Sequence, residues 1–135
     1  MAAFATVGRA DLCRFLLTCQ GLLPQDGGVP PATPAGVLAL IRQLECVQID
    51  PVAAVERNQH LVLAARIPGY APALLEGLLG RGQVFEYHAN AACVIPMEDY
   101  PLFGPTRRRF RQVLRAELDR LGPVVRAVLD RLGGG

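Results

Sequence analysis

A chain of 135 residues, 51% hydrophobic and 19% charged, is long enough to bury a real core and too apolar for disorder. A net charge of +2 supplies no general attraction to nucleic acid. All 14 basic residues are arginine, which excludes a phosphate-loop lysine, a lysine Schiff base and a lysine-based lyase step from this chain.

From the N-terminus, residues 8–20 place Leu12, Phe15, Leu16 and Cys19 at helical spacing before Gly21, which predicts an amphipathic helix with that side inward. Residues 24–35 are a loop rich in Pro and Gly. Thr33 is a good N-cap and Pro34 a good first residue for a helix over Ala35–Glu45, with Val37, Leu40, Ile41 and Leu44 inward. Residues 46–50 read as a short extended segment. A further helix can begin at Val52, and Gly69 stops it. Residues 71–82 form a helix ending in glycines, and the aromatic and β-branched stretch 83–96 reads as a strand or wing. Residues 97–101 read as a turn leading to a helix, with its acids in capping roles. Thr106 to Leu121 is predicted as one helix with Phe110, Val113, Leu114, Leu118 and Leu121 on one side. Gly122-Pro123 breaks it before a last helix.

This is a mainly α pattern with a small β element. It fits a winged helix-turn-helix, with a domain over 1–122 and the start of a following unit at 123–135. A plain helical bundle also satisfies the periodicity. Cys13, Cys19, Cys46 and Cys93 lack metal-ligand spacing to each other or to His60 and His88. They read as small buried hydrophobes in a reducing cytosol, with no metal and no cofactor expected. No apolar run is long enough to span a bilayer, so no membrane partner is expected either.

The chemistry-bearing feature is Gln48-Ile49-Asp50. In an extended segment Gln48 and Asp50 share a face and Ile49 anchors the other. An amide beside a carboxylate can hold one water, with the carboxylate as base. The alternative is structural, because Asp50-Pro51 is also a turn or helix-start signal.

Basic residues come after the triplet. Arg57 and His60 are an i,i+3 pair that can hold phosphates, and Arg66 comes next. For Arg57, a solvated face or an ion pair with Glu56 is an equal reading. Arg107, Arg108, Arg109 and Arg111 gather near a helix start, where the dipole disfavours cations and an anionic partner would be accommodated. A solvated face explains them as well. Tyr87 and His88 are candidate base contacts, with core packing the commoner role for an aromatic. Glu86 reads as a second acid or one half of an ion pair.

Three segments carry a resemblance: "VQID", then "VERNQHLVLAARIPGY", then "VFEYHANAACVIPMEDYPLF". In order and spacing they resemble the YcaQ-type winged-helix DNA glycosylases, the AlkZ/AlkX group that removes alkylated bases and unhooks crosslinks. "ADLCRFLLTCQGL" is similar to the first helix of that family. The resemblance implies an N-terminal unit of a longer tandem winged-helix protein, inactive as an isolated piece. It implies monofunctional hydrolysis of the N-glycosidic bond of N7-alkylpurines, with Gln48 and Asp50 as the catalytic pair. The implied partner is double-stranded DNA carrying alkylated bases, bound by a monomer in the cytoplasm at the nucleoid. Family members usually carry Trp at position 88 and His at position 90, where this chain has His88 and Asn90. That departure bears on substrate choice. A non-catalytic winged-helix regulator, or an interaction module docking through Thr106–Leu121, are the competing functions.

Overall fold

In the computed structural model, residues 6–23 and 28–133 are described. Part of the 24–35 loop and the end of the glycine tail therefore lie outside the described residues.

Thr33 sets the start of the central helix. Its Oγ1 accepts the Gly36 N–H at 3.2 Å, and Pro34 occupies the first turn where a missing N–H costs nothing. Helix α2 then runs Pro34–Leu44 and buries Val37, Leu38, Leu40 and Ile41. Burial of Leu40 and Ile41 stabilises by roughly 1.5–3 kcal/mol each. Gly36 is required by close approach. A Cβ there would lie 2.1 Å from the Pro31 carbonyl oxygen.

The helix ends at an unusual turn. Glu45 has φ +63° and ψ −41°, and Cys46 N–H donates across it to Leu44 C=O at 2.7 Å. This three-residue span is a γ-turn with positive φ at its centre, a strained form for a residue with a Cβ. It throws the chain directly into β1 (Val47–Gln48).

Helix α3 spans Asn58–Ala64, α4 spans Pro72–Gly80, and next comes a hairpin of β2 (Val84–His88) and β3 (Ala92–Pro96). The sheet order is β1-β3-β2 with both pairings antiparallel. Val47, Val84 and Val94 on one sheet face join Leu63, Ile67, Leu75, Leu78 and the α2 residues in a single core. The stretch 83–96 thus forms the expected strands, and the segment at 46–50 the expected extended piece.

Several expectations need correction. The helix after the triplet begins at Asn58, not Val52, because Asp50 and Pro51 open an irregular stretch first. Helix α1 (Arg9–Cys19) forms as expected but buries nothing; Leu12, Phe15 and Leu16 are exposed. Its end is held instead by polar hooks. Gln43 Nε2 donates to the Thr18 and Cys19 carbonyls, and Arg66 Nε donates to Gln20 C=O at 2.7 Å. These satisfy carbonyls that a helix end leaves unpaired. Only Cys93 is buried; Cys13, Cys19 and Cys46 are exposed free thiols, because α1 is uncovered and Cys46 sits at the turn before β1. Glu98 caps no helix. It lies in a 3₁₀ segment (Met97–Phe103) and forms a bidentate ion pair with Arg42 of α2.

The chain divides into two units, Met1–Tyr100 and Pro101–Gly135. The second holds α5 (Gly104–Val113), α6 (Arg115–Arg120) and α7 (Gly122–Gly133). The predicted single helix over Thr106–Leu121 is broken at Leu114, whose ψ of 3° leaves the helical range. Phe110, Val113, Leu114 and Leu121 are exposed rather than packed to one side. The Gly122-Pro123 break falls inside this unit. Among the described residues, no helix is long and apolar enough to cross a membrane.

Candidate active site

Strand register decides which side chains share the site. Residues directly opposite in an antiparallel pair lie on one face, and faces alternate along each strand. Val47 faces Val94, which faces Glu86; this rung belongs to the core face. Gln48 faces Cys93, which faces Tyr87; this rung belongs to the outer face. Ile95 and Phe85 form the next outer rung.

Ile49 continues the ladder, donating its N–H to Ala92 C=O at 2.7 Å, and its side chain packs on the core. Alternation therefore directs Asp50 to the side of Gln48. Gln48 is exposed and Asp50 half-buried. The Gln48 side chain has no hydrogen bond among the described residues, whereas its carbonyl accepts from Asn58 Nδ2 at 3.0 Å. Asn58 thereby ties β1 to the start of α3.

Asp50 Oδ1 accepts the Val52 N–H at 2.8 Å, closing a small turn over Pro51. The turn reading of Asp50-Pro51 is correct as far as it goes. A carboxylate has two oxygens and about four acceptor directions, so this bond leaves acceptor capacity unused. It also fixes the carboxylate's orientation.

An aromatic group flanks the polar pair. Phe85 and Tyr87 ring centroids are 6.2 Å apart, and Tyr100 meets Phe85 edge-on at 5.3 Å. Tyr87 is half-buried, with its phenol on the face of Gln48. His88 is the next residue, so the pleat sends it to the opposite face, across from Ala92. Tyr87 and His88 thus cannot both meet a ligand on the Gln48 face. Glu86 also lies on the other face, exposed.

The basic candidates separate. Arg57 is the N-cap residue of α3 and precedes the helix, so it forms no helical i,i+3 pair with His60. Its guanidinium has no ion pair among the described residues; the Glu56 carboxylate instead accepts the Arg57 backbone N–H at 2.7 Å. His60 Nδ1 and the Tyr70 hydroxyl share a hydrogen bond of 2.8 Å. Burial first, then Glu76 and Glu56, push the Tyr70 phenol up to about 12. Tyr70 therefore keeps its proton, and His60 retains one ring nitrogen, Nε2, beyond this bond.

Arg66 is a structural clamp. Nε and Nη1 go to the carbonyls of Gln20 and Val62, and partial burial lowers its pKa. It also lines a cavity of about 440 Å³ with Gly21, Leu40, Gln43 and Ala65, none of which belongs to the sheet. Arg107, Arg108, Arg109 and Arg111 all lie in α5 of the second unit, three of them exposed and Arg107 half-buried.

Sequence reasoning missed two positioning features. Asn58 carried a signal, as an amide at a helix start ten residues past Gln48. The γ-turn at Glu45 carried none, because Glu has no preference for positive φ.

The family model described as DNA glycosylase AlkZ-like matches residues 41–135, from the last turn of α2 through the sheet and all of the second unit. No solved structure matches the chain. The match takes in Gln48, Asp50, Asn58, Tyr87 and Cys93, the residues the sheet and α3 gather, and it covers well over half of the sequence: the chain belongs to the AlkZ-like DNA glycosylase family.

Proposed function

We propose that the outer sheet face is the hydrolytic centre of a monofunctional DNA glycosylase acting on N7-alkylpurines and crosslinked bases. The observation that carries this is the strand register. It sets Gln48 level with Tyr87 and directs Asp50 to the same side, in a chain of a DNA glycosylase family.

An N7-alkylated purine is cationic and leaves readily. The protein then has to place a water at C1′ and a negative charge beside the developing oxocarbenium ion. Asp50, oriented by Val52, supplies the charge and accepts the water's proton. Gln48 orients that water through its free amide. Tyr87 offers a ring for the extruded base to stack on. Arg57 and the Nε2 of His60 contact flanking phosphates, and the α5 arginines give the second unit a basic surface of its own for DNA phosphates. Arg66, with two donors on carbonyls, contributes through the fold. This chain supplies no lysine for a lyase step.

The element order α2-β1-α3-α4-β2-β3, with β1 beside β3, supports a winged-helix reading in which the β2–β3 hairpin is the wing. The enzyme acts as a monomer on double-stranded DNA in the cytoplasm. One observation favours a second reading, a non-catalytic winged-helix module: the Asp50 carboxylate already serves a turn.

The protein expressed from its complete reading frame should release free base from a duplex carrying N7-methylguanine and leave an intact abasic strand. Binding of that duplex without base release supports the non-catalytic module. A strand nicked without heat or base contradicts the monofunctional reaction.

A further inference from the structure

Tyr70 reaches back to the first turn of α3. Gly69, at φ +78°, turns the chain after that helix, and Tyr70 N–H donates to Ile67 C=O at 3.1 Å. The Tyr70 ring packs on the core, so its hydroxyl stands on a rigid base. That hydroxyl is 2.8 Å from His60 Nδ1, with ring centroids 6.0 Å apart and planes tilted by 32°. Tyr70 keeps its proton, because burial, then Glu76 and Glu56, push the phenol up to about 12. Among the described residues Nδ1 is the one acceptor for that proton, and a half-buried donor left without an acceptor is costly. The hydroxyl therefore donates to Nδ1. A neutral imidazole carries one proton, so that proton sits on Nε2. Nε2 has no partner among the described residues.

We propose that Tyr70 is a positioning residue that holds His60 as a fixed Nε2–H donor for a DNA phosphate. This role rests on the phosphate contact proposed for His60 above; it adds the residue that aims the donor and selects its nitrogen. An imidazole without such a bond samples both tautomers and both ring flips. Some of those arrangements turn a bare nitrogen, an acceptor, toward the phosphate, and an acceptor cannot bind it. The bond from Tyr70 removes them before DNA arrives, so less ordering remains to be done on binding.

Imidazole nitrogen NMR on protein grown with isotope-labelled histidine tests it, at about pH 8.5 where an ordinary imidazole is neutral. The His60 signals are those missing from His60→Ala. The expected result is one tautomer at His60, with its proton on Nε2 and a hydrogen-bonded Nδ1. Tyr70→Phe keeps the ring on the core and should keep the native circular dichroism, while the His60 signals move to the averaged positions of a mobile ring such as exposed His88. A proton on Nδ1, or His60 signals that Tyr70→Phe leaves unchanged, would overturn the proposal. Binding to an undamaged duplex is the second readout and needs no base release. Tyr70→Phe and His60→Ala should each weaken it by about 2- to 10-fold, the worth of one hydrogen bond. Tyr70→Phe should add nothing in the His60→Ala background. Equal losses in both backgrounds would overturn the positioning role. His60→Ala binding at full strength, beside the expected tautomer, would overturn the phosphate contact and the role of Tyr70 with it. Absent base release, with both readouts as expected, would count against the glycosylase reading and in favour of Tyr70 as a binding residue's support.

Discussion

Asp50 has one observed role and one proposed role, and a pair of substitutions separates them. Oδ1 holds the Val52 N–H at 2.8 Å, and in the proposed mechanism the carboxylate also supplies charge and takes a proton from water. Asp50→Asn keeps a side-chain oxygen for Val52 and removes both charge and basicity. Asp50→Ala removes all three. A net hydrogen bond of this kind contributes roughly 0.5–1.5 kcal/mol. We therefore predict that the alanine variant loses about that much unfolding free energy in urea, and the asparagine variant distinctly less. Base excision, read as single-turnover base release with enzyme in excess, should fall on the order of 10²- to 10⁴-fold in both. That corresponds to about 2.7–5.4 kcal/mol in the barrier. An asparagine variant with near wild-type release, beside a crippled alanine variant, would make Asp50 a turn residue and refute the chemistry.

The same geometry yields three other expected outcomes. Gly36→Ala should destabilise the first unit by roughly 1–3 kcal/mol, because the new Cβ meets the Pro31 carbonyl 2.1 Å away and backbone must shift; an unchanged urea midpoint would mean that the 31–33 turn moves without cost. Of the three tyrosines, one phenol should ionise late, at about 12, in an ultraviolet alkaline titration, and Tyr70→Phe should remove that component. The sign is that of an acid raised above its unfolded value near 10: the stabilising contribution is complete below pH 10 and lost as pH rises towards 12. Replacing Arg107, Arg108, Arg109 and Arg111 with Ala should flatten the salt dependence of DNA binding, by up to about 0.9 in log–log slope for each phosphate no longer neutralised; an unchanged slope places these arginines on a solvated face.

Local signals were legible where chemistry is local. Thr33-Pro34 announced α2, and the aromatic and β-branched residues of 83–96 announced the hairpin, because capping and β-propensity act within a few residues. Gln48 and Asp50 were legible as a pair by alternation alone. Their surroundings were not. The partner of β1 is β3, some forty residues later, and only that register reveals that Tyr87 joins Gln48 while His88 turns away. The exposed apolar side of α1 was unreadable for the opposite reason. Periodicity reports an apolar face, not whether anything in the chain covers it. The break at Leu114 has no Gly or Pro to mark it, and an internal turn of that kind leaves no compositional trace.

The central claim is that the outer sheet face, with Asp50 as its charge, meets the reacting sugar. Binding of a duplex containing a cationic 1-azaribose, which mimics the oxocarbenium ion, tests this most directly when monitored by amide shifts in NMR. The largest shifts should fall at Gln48, Asp50, Tyr87 and Cys93, and the affinity should drop on the order of 10²-fold in Asp50→Asn, as loss of a charge paired with a buried cation requires. Shifts confined to α5, or equal affinity for the wild type and Asp50→Asn, would contradict it.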